Sequence, residues 1–162
     1  MDKEGQPVAS ELLTLREEPL IPAGLSSAAT DGEGLPKQPR TLVDRGVLTT
    51  YLHNSYTAGK ASAPNTAHAR RSGYSGEVGI GFANLLPQTG EKTAQELIRE
   101  VDEGLYICAS SLSTDSITGD VSATVDLGRK IERGELTHPV QATMIGGNLL
   151  DFMTRLEAIT GP

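Results

Sequence analysis

One cysteine, two phenylalanines, four tyrosines and no tryptophan are all the thiol and aromatic side chains in these 162 residues. Cys108 alone cannot close an internal disulfide, and no second thiol exists for a zinc ribbon or a Cys-x-x-Cys site. A reducing, cytoplasmic setting is the expectation. So few aromatics leave no platform on which bases could stack. With a formal charge of −7 and no long basic block, nucleic acid is not an expected partner. No apolar run approaches the ~20 residues that cross a bilayer. Met1 to Pro7 has no signal-peptide core, so neither membrane nor export is expected.

What is plentiful is turn material, with 18 glycines and nine prolines. Such punctuation implies a strand-rich chain. Its length fits one ordinary domain, or one half of a larger subunit, with a core that needs no disulfide. No repeat of fixed period and no internal boundary is visible, so residues 1–162 read as a single domain.

Leu12 to Leu15 reads as a short strand, which Pro19 and Pro22 stop by removing ladder donors. Residues 22–40 form a long irregular loop, a kind of segment that is often functional. Thr41–Val43 and Val47–Leu52 flank Asp44-Arg45-Gly46 as a hairpin. Residues 53–76 show no clear period. Glu77 to Ala83 alternates glycines with larger side chains, as a strand under close backbone approach would.

Thr93-Ala94-Gln95-Glu96 has capping-box spacing and opens an amphipathic helix over about 93–103, stopped by Gly104. Leu105 to Ala109 then reads as a buried strand. Val121, Ala123, Val125 and Leu127 alternate with polar residues, predicting a half-buried strand with all four inward. A second hairpin turns at Arg133-Gly134 and returns towards Ile145. Asn148 caps a second amphipathic helix over about 148–159, carrying Leu149, Phe152, Met153, Leu156 and Ile159. The fold class is therefore α+β, mostly antiparallel sheet with two helices.

Few residues offer chemistry. A helical zinc-protease site needs two histidines one turn apart with a glutamate beside one. His53, His68 and His138 are scattered and followed by Asn54, Ala69 and Pro139, so no self-contained metal site is expected. Cys108 lies within an apolar run, where a thiol is inert. Ser75 in Ser72-Gly73-Tyr74-Ser75-Gly76 only approximates the nucleophile elbow and lacks its strand-turn-helix setting. Gly79-Ile80-Gly81 lacks the third glycine of a dinucleotide loop. Asp31 and Glu33 could bind a cation or orient a peptide, or could simply form a solvated acidic turn.

Several segments in order resemble the C-terminal domain of the TldD/PmbA family, also known as modulators of DNA gyrase. They are Asp31-Gly32-Glu33-Gly34, Leu42 to Leu48, Tyr51 to Lys60, Glu96-Leu97-Ile98, Glu103 to Ile107, Thr118 to Ser122, Ile131 to Leu136, Pro139-Val140 and Ile145 to Leu149. The set spans residues 11–158 and corresponds to about half of a family member. The resemblance implies a metallopeptidase assembly, in which two related subunits enclose a cavity and cleave unfolded or small peptides. One subunit carries zinc on a His-Glu-x-x-x-His helix plus a later cysteine, to which Cys108 does not correspond.

The ending Asn148 to Met153 is more similar to the metal-free PmbA-type (TldE) subunit. Implied for this chain are no catalytic residue and no metal of its own, zinc in a TldD-type partner or a homodimeric arrangement, and a peptide substrate. Asp31, Glu33, Gly34, His53, Asn54, Tyr56 and Lys60 are the candidates for the cavity wall. A stand-alone β-rich binding or structural domain, or a truncated fragment, is the alternative.

Overall fold

The structure is a computed structural model that describes residues 3–161. Its elements are β1 (Leu15–Glu18), β2 (Arg40–Asp44), β3 (Val47–Leu48), α1 (Ser55–Ala61), β4 (Ala69–Arg71), β5 (Val78–Ile80) and β6 (Asn84–Pro87). They continue with α2 (Ala94–Glu100), β7 (Glu103–Thr114), β8 (Asp120–Glu132), β9 (Glu135–Val140), β10 (Thr143–Asn148) and α3 (Leu149–Thr154). The class is α+β, and every pairing between these strands is antiparallel. Among the described residues no helix is long and apolar enough to cross a membrane.

Two compact units emerge where the sequence shows no boundary. Unit 1 comprises the described part of Met1–Pro7 with Leu13–Gln88; unit 2 comprises Val8–Leu12 with the described part of Thr89–Pro162. The physical reason is that strands pair only within each unit, so no ladder crosses between them.

In unit 1 the sheet runs β3-β2-β1-β6, and β4-β5 forms a separate two-stranded ribbon. The β2–β3 turn has Arg45 at φ 44° and Gly46 at φ 80°, the two left-handed residues of a type I′ hairpin. That turn agrees with its sequence signal. The first strand, by contrast, is displaced from Leu12–Leu15 to Leu15–Glu18, because β1 is an interior strand paired to both β2 and β6. α1 lies in the segment that shows no apolar period. Asn54 caps it: its side chain accepts from Thr57 N–H at 2.9 Å, while the Thr57 hydroxyl accepts from Asn54 N–H at 3.1 Å.

Unit 2 is built on the long β7–β8 hairpin. β9 and β10 follow one another along the other edge of β8. Pro139 is tolerated in β9 because that strand pairs on one side only. Arg133 (φ 50°) and Gly134 (φ 79°) again make a type I′ turn.

Three expectations fail here. Leu105 to Ala109 is a strand, but an exposed one: Leu105, Tyr106 and Ile107 all stand open, and Cys108 is exposed rather than buried. Cys108 is the extra residue of a bulge, since Ile107 pairs with Gly128 and Ala109 with Leu127. Across the same irregularity Asp126 is skipped, so the inward set runs Val121, Ala123, Val125 and then Gly128, leaving Leu127 56% exposed.

Both expected helices are also shorter. α2 ends at Glu100 because Val101 and Asp102 turn outward, their carbonyls accepting from Gly134 and Arg133 N–H. α3 ends at Thr154 because the following chain runs extended, with Thr160 bridging Lys92.

Candidate functional site

The long loop, the start of α1 and strand β4 meet through side chains. Asp31 Oδ1 accepts from the N–H groups of Glu33 and Leu35, each at 2.9 Å, and Oδ2 accepts from Ala69 N–H at 3.0 Å. Burial alone would raise the Asp31 pKa, but these three donors outweigh it and hold the carboxyl below its ordinary value. Glu33 Oε2 accepts from Ser55 N–H at 3.0 Å and Ser55 Oγ at 2.7 Å, at the first residue of α1. Both acids thus sit in a largely exposed turn and also fasten loop residues to β4 and to α1.

Of the remaining candidates, His53 is buried, with Nδ1 3.3 Å from Thr57 Oγ1 and its main chain tied to Thr66. Asn54 Nδ2 also reaches the carbonyls of Val78 and Gly79 at 3.4 Å. Asp31, Glu33 and Asn54 are therefore brought to one neighbourhood. Gly34 is an exposed turn residue, Tyr56 is exposed on α1, and Lys60 is exposed at the helix end.

A buried network beside them carries no clear sequence signal. Glu17 and His68 are among the most buried large side chains. Glu17 Oε2 pairs with His68 Nε2, so that with an ionised Glu17 the proton sits on Nε2. Glu17 Oε1 accepts from Ala83 N–H at 2.6 Å and from Lys37 Nζ at 3.1 Å. His68 Nδ1 lies 2.8 Å from Thr66 Oγ1. Burial pushes the Glu17 pKa up, but the bonds from Ala83, His68 and Lys37 outweigh that and hold it below the ordinary glutamate value. The only hint in sequence is that Glu17 shares a strand face with Leu15. In Arg16-Glu17-Glu18-Pro19 the residue reads as solvated, and its partners lie 20 to 66 positions away.

In front of this network lies a cavity of about 460 Å³ in unit 1, bordered by Lys37, Arg70, Arg71, Asp31, Ala69 and Phe82 among others. Asp31 is the one expected wall residue on its border.

Zinc does not fit these residues. Both His68 nitrogens have partners and His53 Nδ1 is engaged. Among the described residues no three of His, Cys, Asp or Glu converge on a point that could hold a metal.

Fold and site together describe an antiparallel α+β domain that locks its polar residues into structural hydrogen bonds. Residues 1–161 match the family described as the PmbA/TldA metallopeptidase C-terminal domain, and the chain belongs to that family. It is 28% identical over 160 residues to a metalloprotease of Methanocaldococcus jannaschii, covering 98% of this chain and 35% of that protein. With a metalloprotease PmbA homolog of Haemophilus influenzae it shares 31% identity over 98% of its length and 33% of the relative's.

Among solved structures, TldE from Thermococcus kodakarensis superposes with a TM-score of 0.86 at 25% identity, over 98% of this chain and 36% of that one. A protein of Thermotoga maritima described as a modulator of a DNA gyrase gives 0.86 at 33% identity, over 99% and 36%. Relatives named PmbA and relatives named TldD both occur. The chain spans about a third of the length of the curated relatives it matches, less than the half that the motif order implies.

Proposed function

We propose that this chain serves as the C-terminal domain of a PmbA-type, metal-free subunit, accessory to peptide hydrolysis by a zinc-bearing TldD-type partner in the cytoplasm. The observation that carries this reading is the likeness to TldE over 98% of the chain. Two further features support it. The buried histidines His53 and His68 are committed to internal hydrogen bonds. Unit 2 also leaves Leu105, Ile107, Leu112, Leu127 and Met144 exposed on β7, β8 and β10, apolar side chains that a partner surface would cover.

In such an assembly zinc would activate water in the partner, and this chain would form part of the wall, where an extended peptide can add main-chain hydrogen bonds at a strand edge. Asp31, Glu33 and Asn54 would act by holding loop, ribbon and helix in one arrangement.

The test is reconstitution. The chain, or the longest polypeptide containing it, is mixed with a TldD-type zinc subunit and assayed for association and for cleavage of an unfolded peptide. Association with increased cleavage is the expected result. No association and unchanged cleavage would count against the reading, and favour a stand-alone binding domain.

A further inference from the structure

The cavity of unit 1 differs electrostatically from the chain that forms it. Overall the chain has 21 acidic against 14 basic residues, yet the cavity is bordered by three cations, Lys37, Arg70 and Arg71, and by one acid, Asp31. That acid is saturated by three main-chain N–H groups. Glu17, behind Lys37, is fully buried with both oxygens occupied. The negative charges nearby are thus turned inward.

The cations keep donors to spare. Arg71 uses Nε on Gly32 O at 3.3 Å and one terminal nitrogen on Gly76 O at 3.4 Å, leaving the remainder of its five N–H groups. Arg70 is exposed and has no hydrogen-bond or ion-pair partner among the described residues. Its stem lies against Gly81, where a Cβ would collide with it, so the glycine makes room for this arginine. Lys37 directs two of three ammonium hydrogens to Ala67 O and Glu17. Leu25 and Phe82, both exposed, add an apolar rim.

Planar guanidinium forks match a carboxylate with two parallel hydrogen bonds. An apolar rim beside them favours an anion with a non-polar substituent, and about 460 Å³ suits a small ligand. We infer that this cavity is a carboxylate-binding site, whose ligand is the C-terminal carboxylate of a short peptide ending in an apolar residue. The choice of a peptide rests on the accessory-subunit reading, whereas carboxylate selectivity rests on the cavity alone.

The test titrates the chain by calorimetry with N-acetyl-alanyl-leucine, with its C-terminal amide and with inorganic phosphate. The expected result is saturable one-to-one binding of the free acid and none of the amide. Arg70→Gln and Arg71→Gln should each weaken binding roughly tenfold, the scale of one charge-assisted hydrogen bond. Equal binding of acid and amide, or phosphate binding without the acid, overturns the inference. So does unchanged affinity in both variants with unfolding curves matching the parent. Should a variant misfold, the acid-against-amide contrast on the unmodified chain still decides. These readouts need no zinc-bearing partner, so they fail or succeed separately from the reconstitution assay.

Discussion

Unit 1 is fixed by polar side chains that bridge loops far apart in sequence, whereas unit 2 is fixed by main-chain ladders along one hairpin and its returning edge. In unit 1, Glu17, Lys37, His68, Asp31, Glu33 and Asn54 each reach across at least one loop. In unit 2 the ion pair that joins its strands, Lys130 of β8 with Glu103 of β7, lies at the surface, and large apolar side chains remain open. The contrast teaches where order comes from. A buried polar network tolerates one arrangement of loops only, because each unpaired member would cost its full desolvation. A ladder specifies register but leaves its faces available for other surfaces.

The contrast can be broken most forcefully at Glu17. Glu17→Ala leaves Lys37 and His68 buried without their carboxylate, which costs about 3–5 kcal/mol when one partner of a buried pair is removed. Urea unfolding should show that loss, and hydrogen exchange should place it in residues 13–88 while β7–β10 stay protected. Uniform loss in both units would refute the independence of the two networks.

Next in size is Gly134→Val at the β8–β9 turn. A Cβ there meets Arg99 O at 2.7 Å, and φ is +79°, so a clash with main chain adds to left-handed strain of about 1–3 kcal/mol. Thermal unfolding checks it, and the damage should lie in unit 2.

Acid separates the units more gently. Glu17 and Asp31 both have folded pKa values below their ordinary ones. The unfolded chain therefore takes up protons first as pH falls. The stability they contribute is complete above the ordinary carboxylate values of about 4 and is lost as pH drops through the depressed folded values. In unit 2 Glu96 and Asp115 are exposed and are held low mainly by hydrogen bonds, from Thr93 and from Thr118 and Ile117. Glu132 is held low by its bond to Lys130, so added salt should screen only the Lys130–Glu132 pair while leaving the acid sensitivity at Glu17 in place. Denaturation midpoints against pH, at low and high salt, test this. Glu17→Gln should flatten the unit 1 profile.

Asn54→Ala removes the α1 cap and should cost about 1 kcal/mol, read by chemical denaturation. Smallest of all, Leu112→Lys on the open face of β7 should change the stability of the isolated chain by no more than about 0.5 kcal/mol. The same substitution should weaken association with a zinc-bearing partner, if that face is covered in the assembly; pull-down against the parent chain distinguishes the two readouts.

Local chemistry by itself determined the hairpin turns at Arg45-Gly46 and Arg133-Gly134, the caps at Thr93 and Asn148, the α+β class and the family. The turns and caps are carried by residues within a few positions of one another, where turn geometry and capping act, whereas the class and the family rest on the order of such segments along residues 11–158. The Asn54 cap of α1 goes unread, because residues 53–76 show no apolar period to announce a helix.

Tertiary structure decided the rest. It chose Glu17 over the leucines before it for the interior, because Lys37, His68 and Ala83 arrive from distant loops to neutralise and satisfy a carboxylate that would otherwise stay in water. It turned Leu127 outward and exposed Cys108 through a bulge set by the partner strand. It ended α2 and α3 early because the β8–β9 turn and the bridge of Thr160 to Lys92 engage the chain that follows each helix. Burial and bulges depend on what lies across the sheet, and no window of neighbouring residues contains that.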